Sequence, residues 1–395
     1  MVRLLSGCFI RHGCLPAIAA AVFLLSFPTQ GSAQTYLNAT GLPTFGTPYP
    51  IENGYLNLAN GNPHLEFDLG TFPQRGRRSL SVKLVYDGRI WQVVNGAWQP
   101  TNVANSQGGW RLVTTADPGA VTESLSTSTC NPGQVINTWQ AFIWTDPIGT
   151  QRVFPITTMQ NQCTGANTSS GDAYAQDSSG FHMYVTNFTS ATVFAKDGTQ
   201  VYPTVQDSNG NFFSIDANGN TVDTLNRTPV TKTVNGNTTF YDVLNSQGST
   251  SRYTVTTTTV SANTSFGQTG VTEYSGSFTV VQSIGLPDGT SYSFTYDSGS
   301  TPGFYGLLAS MTLRTGGLVT YTWTKFSDGY GNINRWLKTQ KKVRNLDFQS
   351  QHRYHLRARH YRMSAAGLGH QTQRRPSLVY LHAEQWRVGC QDKVL

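Results

Sequence analysis

Short runs in which apolar and polar residues alternate recur along most of this chain. They include "SLSVKLVYDG" (79–88), "RVFPI" (152–156), "FHMYVTNF" (181–188), "RYTVTTTTV" (252–260), "SFTVVQSI" (277–284), "TSYSFTYDS" (290–298) and "GLVTYTWTKF" (317–326). Val, Thr, Tyr, Phe and Trp dominate them, and their period of two places one set of side chains on each face of an extended strand. Gly, Asn, Asp or Pro bound each run, with "DG" at 87–88, 197–198 and 288–289, "NG" at 209–210 and 218–219, and "GG" at 316–317. These residues tolerate the positive φ that tight hairpin turns require. No part of the body carries a sustained 3.6-residue apolar period. The pattern predicts an all-β protein of hairpin-rich antiparallel sheets, wrapped into a curved sheet, a sandwich or a shell-like array, with an irregular C-terminal tail.

The pattern also predicts where the body stops. After Leu337 the hairpin grammar ends and a segment dense in Arg, His and Gln begins. Residues 338–395 hold 12 of the 28 Lys and Arg but only Asp347, Glu384 and Asp392 of the 21 Asp and Glu, so the net charge of +7 belongs to the tail and the rest is slightly acidic. A basic balance ordinarily points to nucleic acid or an anionic surface. Here the composition changes abruptly, with no linker, and the tail reads as the product of a reading-frame shift in preference to a disordered arm or a folded appendage; nucleic acid is an expected partner only through it.

At the other end, Arg3 and Arg11 precede the apolar run Leu15–Phe27, and Gly31, Ser32 and Ala33 offer a cleavage site before Gln34. That is the layout of a signal peptide over 1–33, too short to span a bilayer and followed by Pro28. The expected location is secreted or at the cell surface, with no transmembrane anchor in the mature chain. Cys8 and Cys14 leave with the signal. Cys130 and Cys163 flank a strand-like segment in a compartment that permits disulfides and are expected to pair, leaving Cys390 in the tail. The expected organisation is an N-terminal β region over 34–180, a repeat-like hairpin region over 181–337, and the tail.

Some hairpins look like copies of one another. "KDGTQVYP" (196–203), "PDGTSYSFTYDS" (287–298) and "TGGLVTYTWTKF" (315–326) share a Gly turn followed by alternating Thr, Ser or Val and aromatics, and "DSNGN" (207–211) and "DANGN" (216–220) stand in tandem. Self-similar units that cannot bury a face alone imply stacked or wrapped β architecture. The segments "NGYLNLANGNPHLEFDLGTFPQRG" (53–76), "LVYDGRIW" (84–91), "LPDGTSYSFTYDS" (286–298) and "YTWTKFSDGYGNINRW" (321–336) resemble the exported RHS/YD-repeat proteins, at the stretch that leads into the repeat array. The resemblance covers 53–337 in patches. The family's "YDxxGR" unit is present only in degenerate form, at Tyr86-Asp87-Gly88-Arg89 and at Tyr296-Asp297, and a long downstream run of repeats is absent. What the resemblance implies is a β-shell with a surface-adhesion or effector-encasing role, contacts with protein or the cell surface, and no enzymatic activity.

Candidate chemistry is sparse. His64, Glu66 and Asp68 alternate with Leu65, Phe67 and Leu69, so a strand puts the three polar groups on one face. A carboxylate pair is what a glycosidase uses, but a half-buried strand with a solvated face accounts for the same letters. The tandem Asp207 and Asp216 segments resemble calcium loops, yet an EF-type loop needs Gly at position six and an acid at twelve, where Phe212 and Asn218 stand. Only His64 and His182 lie between signal and tail, and there is no Cys-x-x-Cys, so no metal or other cofactor is expected. There is no G-x-S-x-G, H-E-x-x-H or phosphate-loop motif, and no catalytic residue is assigned. Trp91, Trp98, Trp110, Trp139, Trp144, Trp323 and Trp336 read mostly as core anchors. An exposed sheet face of aromatics that stacks sugars would instead make this a carbohydrate-binding module or a polysaccharide-active enzyme, the alternative reading.

Overall fold

The computed structural model describes residues 39–42, 46–73, 79–101, 108–245, 247–328, 331–343 and 352–353. The expected signal peptide, Cys390 and nearly all of the basic tail lie outside the described residues.

The described chain is all-β and antiparallel, as the alternation predicts. Its N-terminal sheet has five strands in the order β1 (Pro48–Ile51), β2 (Gly54–Asn57), β3 (Asn62–Pro73), β4 (Ser79–Asp87) and β7 (Trp110–Thr114), with the hairpin β5 (Trp91–Val94) and β6 (Ala97–Pro100) set apart as its own sheet. Next come β8 (Ala120–Asn131), β9 (Gln134–Thr145) and β10 (Gln151–Asn161), a three-stranded sheet with β9 in the centre.

The remaining strands pair strictly in chain order. They begin with β11 (Gly171–Tyr174), β12 (His182–Thr186), β13 (Ser190–Phe194), β14 (Gln200–Tyr202), β15 (Val205–Gln206), β16 (Phe212–Ile215) and β17 (Thr221–Asp223). They continue with β18 (Val230–Asn235), β19 (Thr238–Leu244), β20 (Thr250–Asn263), β21 (Ser275–Gly285), β22 (Ser291–Tyr296) and β23 (Leu308–Thr312). The last are β24 (Leu318–Ser327), β25 (Ile333–Val343) and β26 (His352–Arg353). Together β11–β26 form one sixteen-stranded sheet, each strand bonded to its sequence neighbours. Among the described residues no helix is long and apolar enough to cross a membrane.

One turn geometry joins many of these strands. In nine five-residue segments the N–H of the first residue donates to the carbonyl of the fifth, and the N–H of the fourth donates to the carbonyl of the first. The segments start at Asp146, Ala195, Asp207, Asp216, Asp223, Asn245, Leu286, Leu313 and Asp328. Their fourth residue has positive φ and is Gly in eight, such as Gly210 and Gly289, and Asn226 in the ninth. A bulged hairpin needs this left-handed position, which Gly occupies without Cβ strain and Asn tolerates. In the two tandem segments Asp207 Oδ1 accepts from Asn209 and Asn211 N–H, and Asp216 Oδ1 from Asn218 and Asn220 N–H, so those carboxylates close turns. Not every "DG" is a turn of this kind: Asp87 ends β4, which pairs with β3 and β7, and no hairpin forms at 87–88.

The main core lies between the N-terminal sheet and the meander. Leu65, Phe67, Leu69, Leu80, Leu84 and Trp110 from the former cluster with Phe213, Val243, Ile284, Phe294, Met311 and Val319 from the latter. Phe67 makes edge contacts with Tyr292 and Phe294, at 5.0 and 5.3 Å between ring centroids. A second core joins Phe142, Trp144 and Phe154 of the three-stranded sheet to Met183, Val185, Val193 and Val201 of β12–β14. A third seats Trp91 and Trp98 on Phe266, Tyr305 and Leu307. The cores therefore bridge residue 180 rather than dividing there, because the N-terminal sheet needs the later strands to cover its apolar face.

Cys130, at the end of β8, and Cys163, just past β10, form a disulfide with Cα atoms 6.4 Å apart. The composition break at 337/338 is not a structural break. Strand β25 continues through Lys338–Val343, paired with β24 from Leu318↔Val343 to Ser327↔Ile333. Gln340 is buried and its Oε1 accepts the Glu52 N–H, while Lys342 pairs with Glu52 at 2.8 Å.

Candidate functional site

Strand β3 does place His64, Glu66 and Asp68 on one face, but that face is not uniformly solvated. Side-chain exposure climbs from 0% at His64 to 31% at Glu66 and 80% at Asp68. The cover at the His64 end comes from far away in sequence. Strand β7 lies beside β4 and carries Arg111, whose Nη2 donates to the Ile148 carbonyl at 3.1 Å in the turn that joins β9 to β10. The expectation of a solvated face fails there, since Arg111 and that turn close over it.

Asp87 is the partner that the alternation did not reveal. Its Oδ1 accepts His64 Nδ1–H at 2.9 Å and Asn62 Nδ2–H at 2.9 Å, and its Oδ2 accepts from Arg111. On the other edge of the imidazole, Nε2–H donates to Glu66 Oε1 at 3.2 Å, and Lys83 Nζ donates to Glu66 Oε2. Tyr55 covers the ring, stacked at 4.7 Å with 23° between planes. The result is a chain of alternating charge, Arg111–Asp87–His64–Glu66–Lys83, running from the interior to the surface.

Burial acts most strongly on His64 and opposes its charge, but the Asp87 charge and the two carboxylate hydrogen bonds outweigh it and raise its pKa to about 9. Glu66 is lowered to about 2, first by the hydrogen bond from His64 and then, against burial, by Lys83. For Asp87 burial is again the largest influence and is overcome by Arg111 and His64, leaving its pKa below the usual carboxylate range. An imidazolium flanked by two ionised carboxylates is the stable state at neutral pH.

Glu66 and Lys83 open onto a cleft of about 490 Å³. Ser81, Val85 and Thr115 line it on the N-terminal sheet, and Trp144, Phe181 and Val205 on the opposite side. A hydrolytic reading would need a general base free to take a proton from a hydroxyl or water. Both ring nitrogens of His64 are donors to carboxylates, and Glu66 is held ionised by two cations, which leaves it without a proton to give. Thr115 Oγ1 accepts the Ser81 N–H and donates to the Ser79 carbonyl, so this hydroxyl serves the backbone. No group of three or more His, Cys, Asp or Glu that could hold a metal is found among the described residues. These bonds tie β3, β4 and β7 to one another and to the turn at 147–148.

The two degenerate tyrosine–aspartate units sit at the heart of the same core. Tyr86 is fully buried, its oxygen accepts the Leu308 N–H at 3.1 Å, and its ring contacts Trp110 at 5.2 Å. Tyr296 is the acceptor for Trp110 Nε1–H at 2.8 Å and donates to the Val281 carbonyl. Asp297 accepts the backbone N–H groups of Tyr305 and Leu307, and burial raises its pKa to about 6. Both units thus use the tyrosine to reach a distant strand and the aspartate to anchor neighbouring chain.

Of the tryptophans, Trp91, Trp98, Trp110 and Trp144 are buried. Among the described residues the exposed aromatics are elsewhere, at Tyr174 and Tyr184. The signal for Tyr184 was the alternation in "HMYVT" (182–186), whose outward positions carry His182 and Tyr184. Compared with known proteins, the chain matches no protein-family model and no curated protein.

Proposed function

We propose that this chain is an exported structural β-scaffold of the RHS/YD-repeat kind, a wall segment of a β-shell with a surface-adhesion or effector-encasing role. The supporting observation is the meander itself: strands paired in unbroken chain order and joined repeatedly by one five-residue turn. Such a sheet grows by adding hairpins and needs no cofactor to close its core, which is how a wall is built from repeats. The two tyrosine–aspartate units support the same reading, because each acts as a staple between sheet layers. The charged chain at His64 serves as an anchor for the N-terminal sheet, and the protein is not an enzyme.

Fractionation of producing cells combined with protease shaving tests this. The proposal predicts that the chain is recovered outside the cytoplasm, that protease cuts at the exposed turns before the strands, and that purified protein hydrolyses no glycoside or ester. Cytoplasmic recovery, or saturable turnover lost in Glu66→Gln, would overturn it.

A further inference from the structure

We propose that the outward face of β11–β13 is a binding site for a neutral saccharide chain, a property that does not depend on the shell reading. The inward residues of these strands, Met183, Val185, Ala191 and Val193, fill the second core. On a half-buried antiparallel sheet the opposite face is ordinarily polar. Here it is aromatic. Cross-strand registers align Tyr174 with His182 and His182 with Phe194, and set Asp172 and Thr192 on either side of Tyr184. Tyr174 is 65% exposed and Tyr184 45%.

The rings hold one another in place. Tyr174 and His182 stack at 4.2 Å with 10° between planes, Tyr184 leans on His182 at 4.3 Å, and Phe194 meets Tyr184 edge-on at 5.8 Å. Asp172 Oδ2 accepts His182 Nε2–H at 2.9 Å and fixes that ring. Rigid aromatics lose little conformational freedom on binding, which favours them as anchors. The same rings line a cavity of about 450 Å³, bounded by Lys196 and by the turns at Gly180 and Gly198. That volume falls in the range of small-ligand sites, roughly 300–1,000 Å³.

The chemistry of the lining selects the ligand. A pyranose ring offers an apolar C–H face to an aromatic ring and a rim of hydroxyls to polar groups. Tyr174, Tyr184 and Phe194 supply the first surface; the phenol oxygens and Lys196 of the lining, with Asp172 beside it on the same face against His182 and Tyr184, supply the second. One carboxylate and one ammonium of opposite sign leave no net preference for a polyanion, which points to a neutral sugar. The strands lie about 4.8 Å apart, so successive rings meet successive parts of an extended glycan.

Titration of the full chain with cellohexaose, chitohexaose and laminarihexaose, followed by calorimetry and saturation-transfer NMR, tests the site. Saturable binding of at least one hexasaccharide is expected, weakened at least about tenfold by Tyr184→Ala and by Tyr174→Ala. Tyr184→Phe, which keeps the ring, stays within about threefold, and Val234→Ala, at an exposed apolar position elsewhere, changes nothing. Near-ultraviolet circular dichroism verifies that each variant is folded. Absence of saturable binding to all three probes overturns the proposal. So does binding that survives both tyrosine variants, or concentration-dependent self-association that Tyr184→Ala abolishes, which would assign the face to a second copy of the chain.

Discussion

Trp110 donates its indole N–H to the phenol oxygen of Tyr296 at 2.8 Å, joining β7 of the N-terminal sheet to β22 of the meander across 186 residues of sequence. The same oxygen donates onward to the Val281 carbonyl, and Trp110 packs on Tyr86, so both tyrosine–aspartate units meet at one indole. Replacing Tyr296 by Phe keeps the packing and strands a buried indole N–H. It is expected to cost about 1–3 kcal/mol, read from urea unfolding. A double-mutant cycle with Trp110→Phe should show the two costs to be strongly non-additive; simple additivity would mean that the bond is idle.

Stability should fall on the alkaline side. The fold holds the His64 proton up to about pH 9, whereas the unfolded chain releases it near the reference value of 6.5. The folded state therefore binds more protons between those values, so the contribution is complete below about pH 6.5 and is lost as pH rises through 9. Its size is on the order of 3 kcal/mol. Urea midpoints measured from pH 6 to 10 should show this decline, and Asp87→Asn should flatten it while lowering stability throughout.

A second, weaker decline belongs to Asp297, raised by burial from 3.8 to about 6. Stability from this group is present below about pH 4 and is lost as pH rises through 6. Asp297→Asn, whose single side-chain oxygen can accept from only one of the Tyr305 and Leu307 amides, should remove the pH dependence in that window while lowering stability throughout. Glu66 acts oppositely: lowered to about 2, it contributes above pH 4.5 and is lost on acidification through 2.

The recurrent turn predicts a graded series. Gly198 and Gly289 both have φ near +80°, and a Cβ at either meets nothing within 4 Å. Substitution there reports backbone strain alone. Gly289→Ala should cost about 1–2 kcal/mol, and Gly289→Asn less, because Asn226 already occupies the equivalent position at φ 57°. Thermal unfolding of the two variants makes the comparison.

Reducing the Cys130–Cys163 bridge should loosen β8–β10. The 33-residue separation corresponds to about 3–4 kcal/mol in the chain-entropy model. Hydrogen exchange before and after reduction should show faster exchange in 120–161, with β20 and β21 little changed.

How much of this was readable in advance differs from element to element. Strands such as Arg252–Val260 announce themselves, since alternation and Thr or Val content are local properties. The uniformity of the turns was hidden. Its hydrogen bonds use backbone groups, so Leu286 or Leu313 can begin the turn as well as Asp207, and the letters look unrelated. His64 looked solvent-facing because its cover, Arg111 and the 147–148 turn, arrives through tertiary packing that periodicity does not encode. Asp87 was disguised by the following Gly88. The boundary after Leu337 followed composition, whereas Lys338–Val343 are held by pairing with β24, which is indifferent to charge. The Cys130–Cys163 pairing was expected because the two cysteines flank one strand-like segment, and the structure brings them together across β8–β10.

Electron microscopy of the purified protein, with an antibody fragment directed at the tandem turns Asp207–Asn220, tests the central claim most directly. The account predicts antibody fragments decorating the wall of a hollow β-shell or surface filament. Decoration of an isolated particle that encloses nothing and contacts no surface would contradict it.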